Sequence, residues 1–215
     1  MIDLHTHSLL SDGELLPSEI VRRVEDRGYS CVAITDHVDS SNLDFVISRV
    51  AELAGDLNQR QSVKVIPGVE ITHCPPESIE SLVKKARELG ARLVLVHGET
   101  IVEPVAKGTN RAAILSGVDI LAHPGVIAIE DIKLAAERGV CLEISARHGH
   151  SFTNGYVARW AKEFRAKLVL NSDAHCPQDL MTRQFAQMVA HGSGLGENAL
   201  EEMLGNSQAL IEKIL

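Results

Sequence analysis

His5 and His7 stand one residue apart in Met1-Ile2-Asp3-Leu4-His5-Thr6-His7-Ser8, and Asp173 and His175 repeat that spacing towards the other end of the chain. In a strand, side chains at i and i+2 share a face, so each pair can reach one small cation together. Between the pairs lie Asp12, His37, Glu70, His97 and His123, all residue types that ligate divalent metals. Each alone reads as an ordinary core or surface residue. Buried together without cations, six histidines and three carboxylates would be severely destabilising. At about four protein ligands per ion, with some sharing, nine donors suit two or three ions. Imidazole mixed with carboxylate suits Zn, Mn or Fe, and the absence of thiolate argues against a purely structural zinc site. Three carboxylates against three divalent ions leave a positive centre, which favours a phosphoryl group and a metal-bound hydroxide.

Such a cluster needs elements that aim every member at one point. Strands are expected over 1–8, 31–35, 63–69, 92–96, 118–122, 140–142 and 167–171, and each runs into His, Asp or Glu. Helices are expected from Pro17-Ser18 to Arg27, Leu43 to Gln59, Glu77 to Leu89, Arg111 to Leu115, Glu130 to Arg138 and Tyr156 to Phe164. A long helix around Pro177 to His191 and two short ones ending at Leu215 complete the chain. Short, continuously apolar strands between helices imply a parallel sheet covered on both faces. Seven such units suit a closed (β/α) barrel, whose chemistry sits at the C-terminal strand ends. No glycine-rich phosphate fingerprint follows the first strand, which weakens the open-sheet alternative.

Composition sets the outer bounds. A chain of 215 residues with 45% hydrophobic content suits one α/β domain over 1–215 with a full core, built from aliphatics because aromatics are only 3%. A formal charge of −8 disfavours a broad nucleic-acid interface. Cys31, Cys74, Cys141 and Cys176 form no paired motif and read as free thiols of a cytoplasmic protein. No signal peptide or membrane span is expected. The C-terminal Leu200, Leu204, Leu210, Ile211 and Ile214 suit capping of the chain's own core better than contact with a second copy, and homo-oligomer formation stays open.

Asp3-Leu4-His5-Thr6-His7-Ser8, Asp12-Gly13, Thr35-Asp36-His37, Gly68-Val69-Glu70, His97, His123-Pro124-Gly125 and Ser172-Asp173-Ala174-His175 resemble, in order, the motifs of the PHP (polymerase and histidinol phosphatase) family. The short length is similar to the stand-alone histidinol-phosphatase-like members. The resemblance implies a single-domain distorted (β/α)7 barrel with a trinuclear site. It places His5, His7, Glu70 and Asp173 on a first metal, with Glu70 bridging to a second held by His97 and His123. Asp12, His37 and His175 would hold the third. Around the first two cations, Glu70, Asp173 and His123 form the catalytic assignment.

The expected reaction is hydrolysis of a small phosphomonoester, histidinol-phosphate-like or nucleotide-like, by in-line attack. Arg147, just past the sixth strand, is the candidate for a bidentate phosphate contact. Glu143 is either an orienting residue or a reader of a substrate amine, and Lys107 and Asn110 are further candidate substrate contacts. Asp3 and Asp36 can orient ligand histidines. His73, His148, His150 and His191 fall in loops or after a helix and are set outside the cluster. Two other chemistries compete. An amidohydrolase attacking C–N bonds usually bridges its metals with a modified lysine ending the fourth strand, where this chain has His97. A nuclease or phosphodiesterase acting on nucleotide ends is disfavoured by the net charge and the lack of a basic or aromatic platform.

Overall fold

Strand and helix alternate along nearly the whole chain in the computed structural model, which describes residues 1–215. The first half runs β1 (Ile2–Asp3), α1 (Pro17–Asp26), β2 (Cys31–Ile34), β3 (His37–Val38), α2 (Leu43–Leu57), β4 (Lys64–Ile71), α3 (Ile79–Glu88) and β5 (Leu93–His97). The second half runs α4 (Thr109–Leu115), β6 (Ile120–Ala122), α5 (Ile129–Arg138), β7 (Cys141–Ser145), α6 (Asn154–Phe164), β8 (Leu168–Asn171), α7 (Arg183–Gly192) and α8 (Ala199–Ile214). All ladders are parallel, in the order β1-β2-β4-β5-β6-β7-β8, with β3 continuing beside the upper half of β4. The ring closes past the ends of β1 and β8. Thr6 bridges Ala174, the His7 N–H donates to the Ala174 carbonyl at 2.8 Å, and the Asp173 N–H donates to that of His5 at 3.0 Å. The result is a distorted (β/α)7 barrel.

Period-two alternation builds two cores from the same strands. Cys31, Ala33, Ile66, Leu93, Leu95, Ile120, Ala122, Cys141 and Val169 form one cluster, the barrel's interior. Val32, Ile34, Val65, Val94, Val96, Leu121, Leu142 and Ile144 face the other way and join helix residues such as Val21, Val50, Leu82, Ile132 and Val157 in the larger cluster. Fully burying one such side chain contributes roughly 1.5–3 kcal/mol. Leu210 and Ile211 of α8 belong to the interior cluster beside Ile2 and Leu4, so α8 closes the bottom of the barrel.

Four elements differ from the sequence expectation, and the first is β3, a two-residue strand at His37–Val38 where none is expected. The strand expected over 1–8 keeps only Ile2–Asp3 in its ladder, because side-chain oxygens take the next amides: Asn171 accepts from the Leu4 N–H, Asp3 from that of His5 and Thr35 from that of Thr6. The helix expected from Pro177 starts at Arg183, where Thr182 caps it by accepting the Phe185 N–H. Its expected first turn is instead held as loop, with Asp179 accepting the N–H groups of His175 and Cys176. The two short terminal helices are one, α8, running through Gly205. Burial of Leu200, Met203, Leu210 and Ile211 outweighs the cost of about 1 kcal/mol for a mid-helix glycine. All four cysteines are free thiols, and no helix is long and apolar enough to cross a membrane.

Candidate metal centre

The inward-facing rows turn from apolar to polar as they climb. Ile66, Gly68 and Glu70 share one parity on β4; Leu93, Leu95 and His97 do so on β5; Val169, Asn171 and Asp173 do so along and past β8. Hydrophobic burial at the bottom of each row therefore fixes which residues meet at the top. His123 and Asp173, one or two residues past their strands, have φ of 26° and 54°, a backbone region unfavourable for side chains larger than hydrogen. Asp12 comes from the loop after β1. That loop folds onto Asp36, which accepts from the Ser8 N–H and hydroxyl and from the Ser11 hydroxyl, each at 2.7 Å. A side chain on Gly13 would collide with the His7 carbonyl, so glycine lets the turn close.

Glu70 is fully buried at the centre. One oxygen lies 3.3 Å from His5 Nε2, 3.5 Å from His7 Nε2 and 2.8 Å from His37 Nδ1, and the other lies 3.3 Å from His123 Nε2. Asp173 stands opposite, 3.3 Å from His7 Nε2 and 3.7 Å from His5 Nε2. Asp12, at the exposed rim, lies 3.2 Å from His175 Nε2 and 3.6 Å from His37 Nε2.

The outer partners of these rings set their tautomers. His5 Nδ1–H donates to Glu143 at 2.8 Å and His97 Nδ1–H to the Gly98 carbonyl at 3.2 Å, whereas His175 Nδ1 faces both a donor, Arg147 Nη1 at 2.8 Å, and an acceptor, the Asp173 carbonyl at 3.0 Å. The Thr72 hydroxyl donates to the Glu70 carbonyl and so accepts from His37 Nδ1–H at 2.7 Å. In His5, His37 and His97, Nε2 is left with a lone pair aimed into the cleft.

Lone pairs facing carboxylates need something positive between them. His5 Nε2, both nitrogens of His7, both oxygens of Glu70, His123 Nδ1 and one oxygen of Asp173 are buried without a hydrogen-bond partner. Each such group costs roughly 1–3 kcal/mol. Burial works against charge on Glu70, yet the neighbouring His5 and His37 rings hold its carboxyl well below the usual range. Burial raises Asp173 in spite of His5 and His123, and burial with His37 and His5 nearby holds His7 well below the ordinary histidine range. Two donors each about 2.0–2.2 Å from one cation stand roughly 2.9–3.5 Å apart. Five of the eight nitrogen–oxygen separations above fall in that window and the other three lie within 0.2 Å of it, so the donor set fits divalent cations.

The barrel brings all nine of His5, His7, Asp12, His37, Glu70, His97, His123, Asp173 and His175 to one mouth. His5, His7 and Glu70 converge; so do His5, His123 and Asp173, and His7, Asp12, His37 and His175. His123 also converges with His97 and His150, so it stands between the first group and His97. The cleft above them measures about 370 Å³ and has no hydrophobic residue in its lining. Arg147 lines it at 31% side-chain exposure, with Nη1 donating to the Asp173 carbonyl at 3.2 Å.

The other expected substrate contacts do not reach it. Glu143 lies fully buried beneath the site, where its oxygens accept from His5, from Asn171 at 2.9 Å and from the His123 N–H at 3.0 Å. Burial would raise its carboxyl, but His5 takes it down to about 2. It orients His5 and cannot read a substrate amine. Asn110 is buried too, with its amide oxygen accepting the Glu99 N–H and its amide nitrogen donating to the Pro124 carbonyl. Lys107 is exposed and lies outside the cleft lining. Glu103, which carried no sequence signal, and His73 and His150, which were set aside, do line it. His150 is 4% exposed and stacks on His123 at 4.0 Å. Loop position hid all three, since nothing in local spacing tells where a loop folds back.

The PHP domain family model matches residues 3–103. An uncharacterized protein of Methanocaldococcus jannaschii is 47% identical over 94% of each chain. A probable phosphatase of Shewanella sp. (strain ANA-3) is 30% identical over 81% of this chain and 76% of its own length. Among solved structures, a chain of archaeal ribonuclease P with mature tRNA aligns at a TM-score of 0.75, with 17% identity, over all of this chain and 91% of that one. That last likeness is one of fold.

Proposed function

The chain belongs to the PHP family and is a metal-dependent phosphoesterase, and from that premise we propose that it hydrolyses a small phosphomonoester at a trinuclear centre. The observation that carries the reading is Glu70, a fully buried carboxylate among four histidine rings with neither oxygen hydrogen-bonded in the ordinary sense. His5, His7, Glu70 and Asp173 would hold a first cation. Glu70 would be shared with a second at His97 and His123, and Asp12, His37 and His175 would hold a third. Zinc, manganese or iron held there supplies positive charge against phosphoryl oxygens and makes water acidic enough to react at neutral pH.

The protein's own groups do the rest. Arg147, anchored by one nitrogen to the Asp173 carbonyl, has guanidinium N–H groups left to bind phosphoryl oxygens at the cleft wall. Glu143 holds the His5 ring, and Asp36 holds the loop that presents Asp12. A cleft of about 370 Å³ without apolar lining supports a small polar substrate, histidinol-phosphate-like or nucleotide-like. The net charge of −8 supports a small molecule over a long nucleic acid.

The test is a phosphoester panel scored for phosphate release, with and without chelator and added manganese, alongside bound-metal analysis. Fewer than two metals per chain with no release would sink the reading. Within an active preparation, Glu70→Gln lowers turnover far more than Arg147→Ala, on the order of 10²-fold or beyond, because it disturbs a cation bridge. Arg147→Ala acts mainly on KM. Equal loss of turnover would refute that division of roles.

A further inference from the structure

Glu103 and His150 have no part in the nine-residue arrangement, yet both are built into the cleft. We propose that Glu103 and His150 are cation ligands that, with His97 and His123, form a clasp by which the loop after β5 closes over the second cation position. The proposal rests on the cation reading above and extends it.

Three histidines converge on the one Glu103 carboxylate. One oxygen lies 3.1 Å from His97 Nε2 and 3.3 Å from His73 Nε2, and the other lies 3.3 Å from His150 Nε2. These separations fall in the window of roughly 2.9–3.5 Å for two donors on one ion. His97, His123 and His150, all buried, each offer a nitrogen within 4.8 Å of the others, and His73, His97 and Glu103 meet the same condition.

The tautomers add a second, independent reason. His97 Nδ1–H donates to the Gly98 carbonyl, so its Nε2 presents a lone pair to Glu103. A lone pair against a carboxylate at 3.1 Å repels unless a cation or a proton lies between. His150 is held in place with Nδ1 on the Thr100 hydroxyl at 2.8 Å and Nε2 turned inward to Glu103. Beside it, one oxygen of Asp173 and Nδ1 of His123 are buried and unpartnered.

The loop is constructed to deliver Glu103. Glu99 accepts the N–H groups of Gly108 and Asn110, each at 3.0 Å, which cinches the loop at its base. Asn110 ties that base to the Glu99 N–H and the Pro124 carbonyl. A side chain on Gly125 would collide with the Glu99 carbonyl, so glycine there allows the base to seat. Across the cleft Val102 packs on Gly149, next to His150. Between these anchors Ile101, Val102 and Lys107 are exposed, so the loop's inward fixing falls chiefly to Glu103. A cation on Glu103 and His150 would pin it, and would take two coordination positions otherwise open to substrate.

The test compares wild type, Glu103→Gln and His150→Gln. Each is titrated with zinc alone after removal of metals, and each is digested with trypsin, which can cut after exposed Lys107. Wild type is expected to bind its cations with the loop protected by zinc and released by chelator. Each variant should lose affinity for one cation by roughly 10- to 100-fold while keeping the others, and should lose zinc-dependent protection of Lys107. Glu103→Gln sits on a half-exposed loop and decides the matter if His150→Gln does not fold. Wild-type cation binding with an unchanged Glu103→Gln isotherm and unchanged protection would overturn the clasp and leave the metal centre standing. No zinc bound by wild type would overturn both. A proton between Glu103 and His97 instead of a cation would give the unchanged isotherm.

Discussion

Glu143 is the residue that most changes meaning between sequence and structure. As a polar residue ending a barrel strand it could face substrate, but its carboxylate is spent on three donors below the site: His5 Nδ1–H, the Asn171 amide and the His123 N–H. Glutamine can keep the outline but not the acceptors, since one of its two positions becomes a donor. Glu143→Gln should therefore free the His5 ring or the His123 backbone and weaken binding of the first cation roughly 10- to 100-fold. Calorimetric titration with zinc checks this, and wild-type affinity would mean that the His5 ring is held by something else. At the same scale, backbone strain lies at His123 and Asp173, two donors with positive φ values just past their strands.

At the scale of elements, one end of each strand serves stability and the other serves the site. The interior cluster sits below the donors and is sealed by Leu210 and Ile211 of α8. Leu210→Ala should cost about 2–4 kcal/mol in urea unfolding, because a barrel floor cannot collapse into the space left. Cation binding per folded molecule should be unchanged. A loss of cation affinity matching the loss of stability would show that floor and mouth are coupled. The uninterrupted α8 makes the same point in reverse. Gly205-Asn206-Ser207 at its centre reads as a break, but the Asn206 amide donates to the Leu168 carbonyl at 2.8 Å and the flanking apolar residues are buried on β8 and the barrel floor. Tertiary burial decided what local propensity left against helix.

For the whole molecule, the fold gathers buried donor groups that bound cations would satisfy. Buried and unpartnered groups from the segment after β1, from β4, and from the loops after β6 and β8 meet at one mouth. Cations that bind the folded state far better than the unfolded chain stabilise it by mass action, by about 4 kcal/mol at a thousandfold excess over Kd. Chelation should lower Tm by several degrees and restored zinc or manganese should raise it again, as scanning calorimetry would record. A Tm indifferent to chelator would mean that the orphaned groups are satisfied some other way.

Much of this was legible in the residues themselves. Alternation of short apolar strands with amphipathic helices specified a parallel barrel, because continuous apolar strands must be covered on both faces. Strand-end placement of His37, Glu70, His97, His123 and Asp173 specified one mouth, because parallel strands all end on the same side. What the linear order could not hold was anything dependent on where irregular chain folds back. Glu103 and His150 join the centre only because a loop cinched by Glu99 and Asn110 crosses the cleft. Glu143 leaves it only because the register of β7 with β8 brings Asn171 beside it. Periodicity reports which way a side chain points from a regular element; it carries no information on loop paths or on which neighbour claims a buried carboxylate first. Those are settled by three-dimensional packing alone.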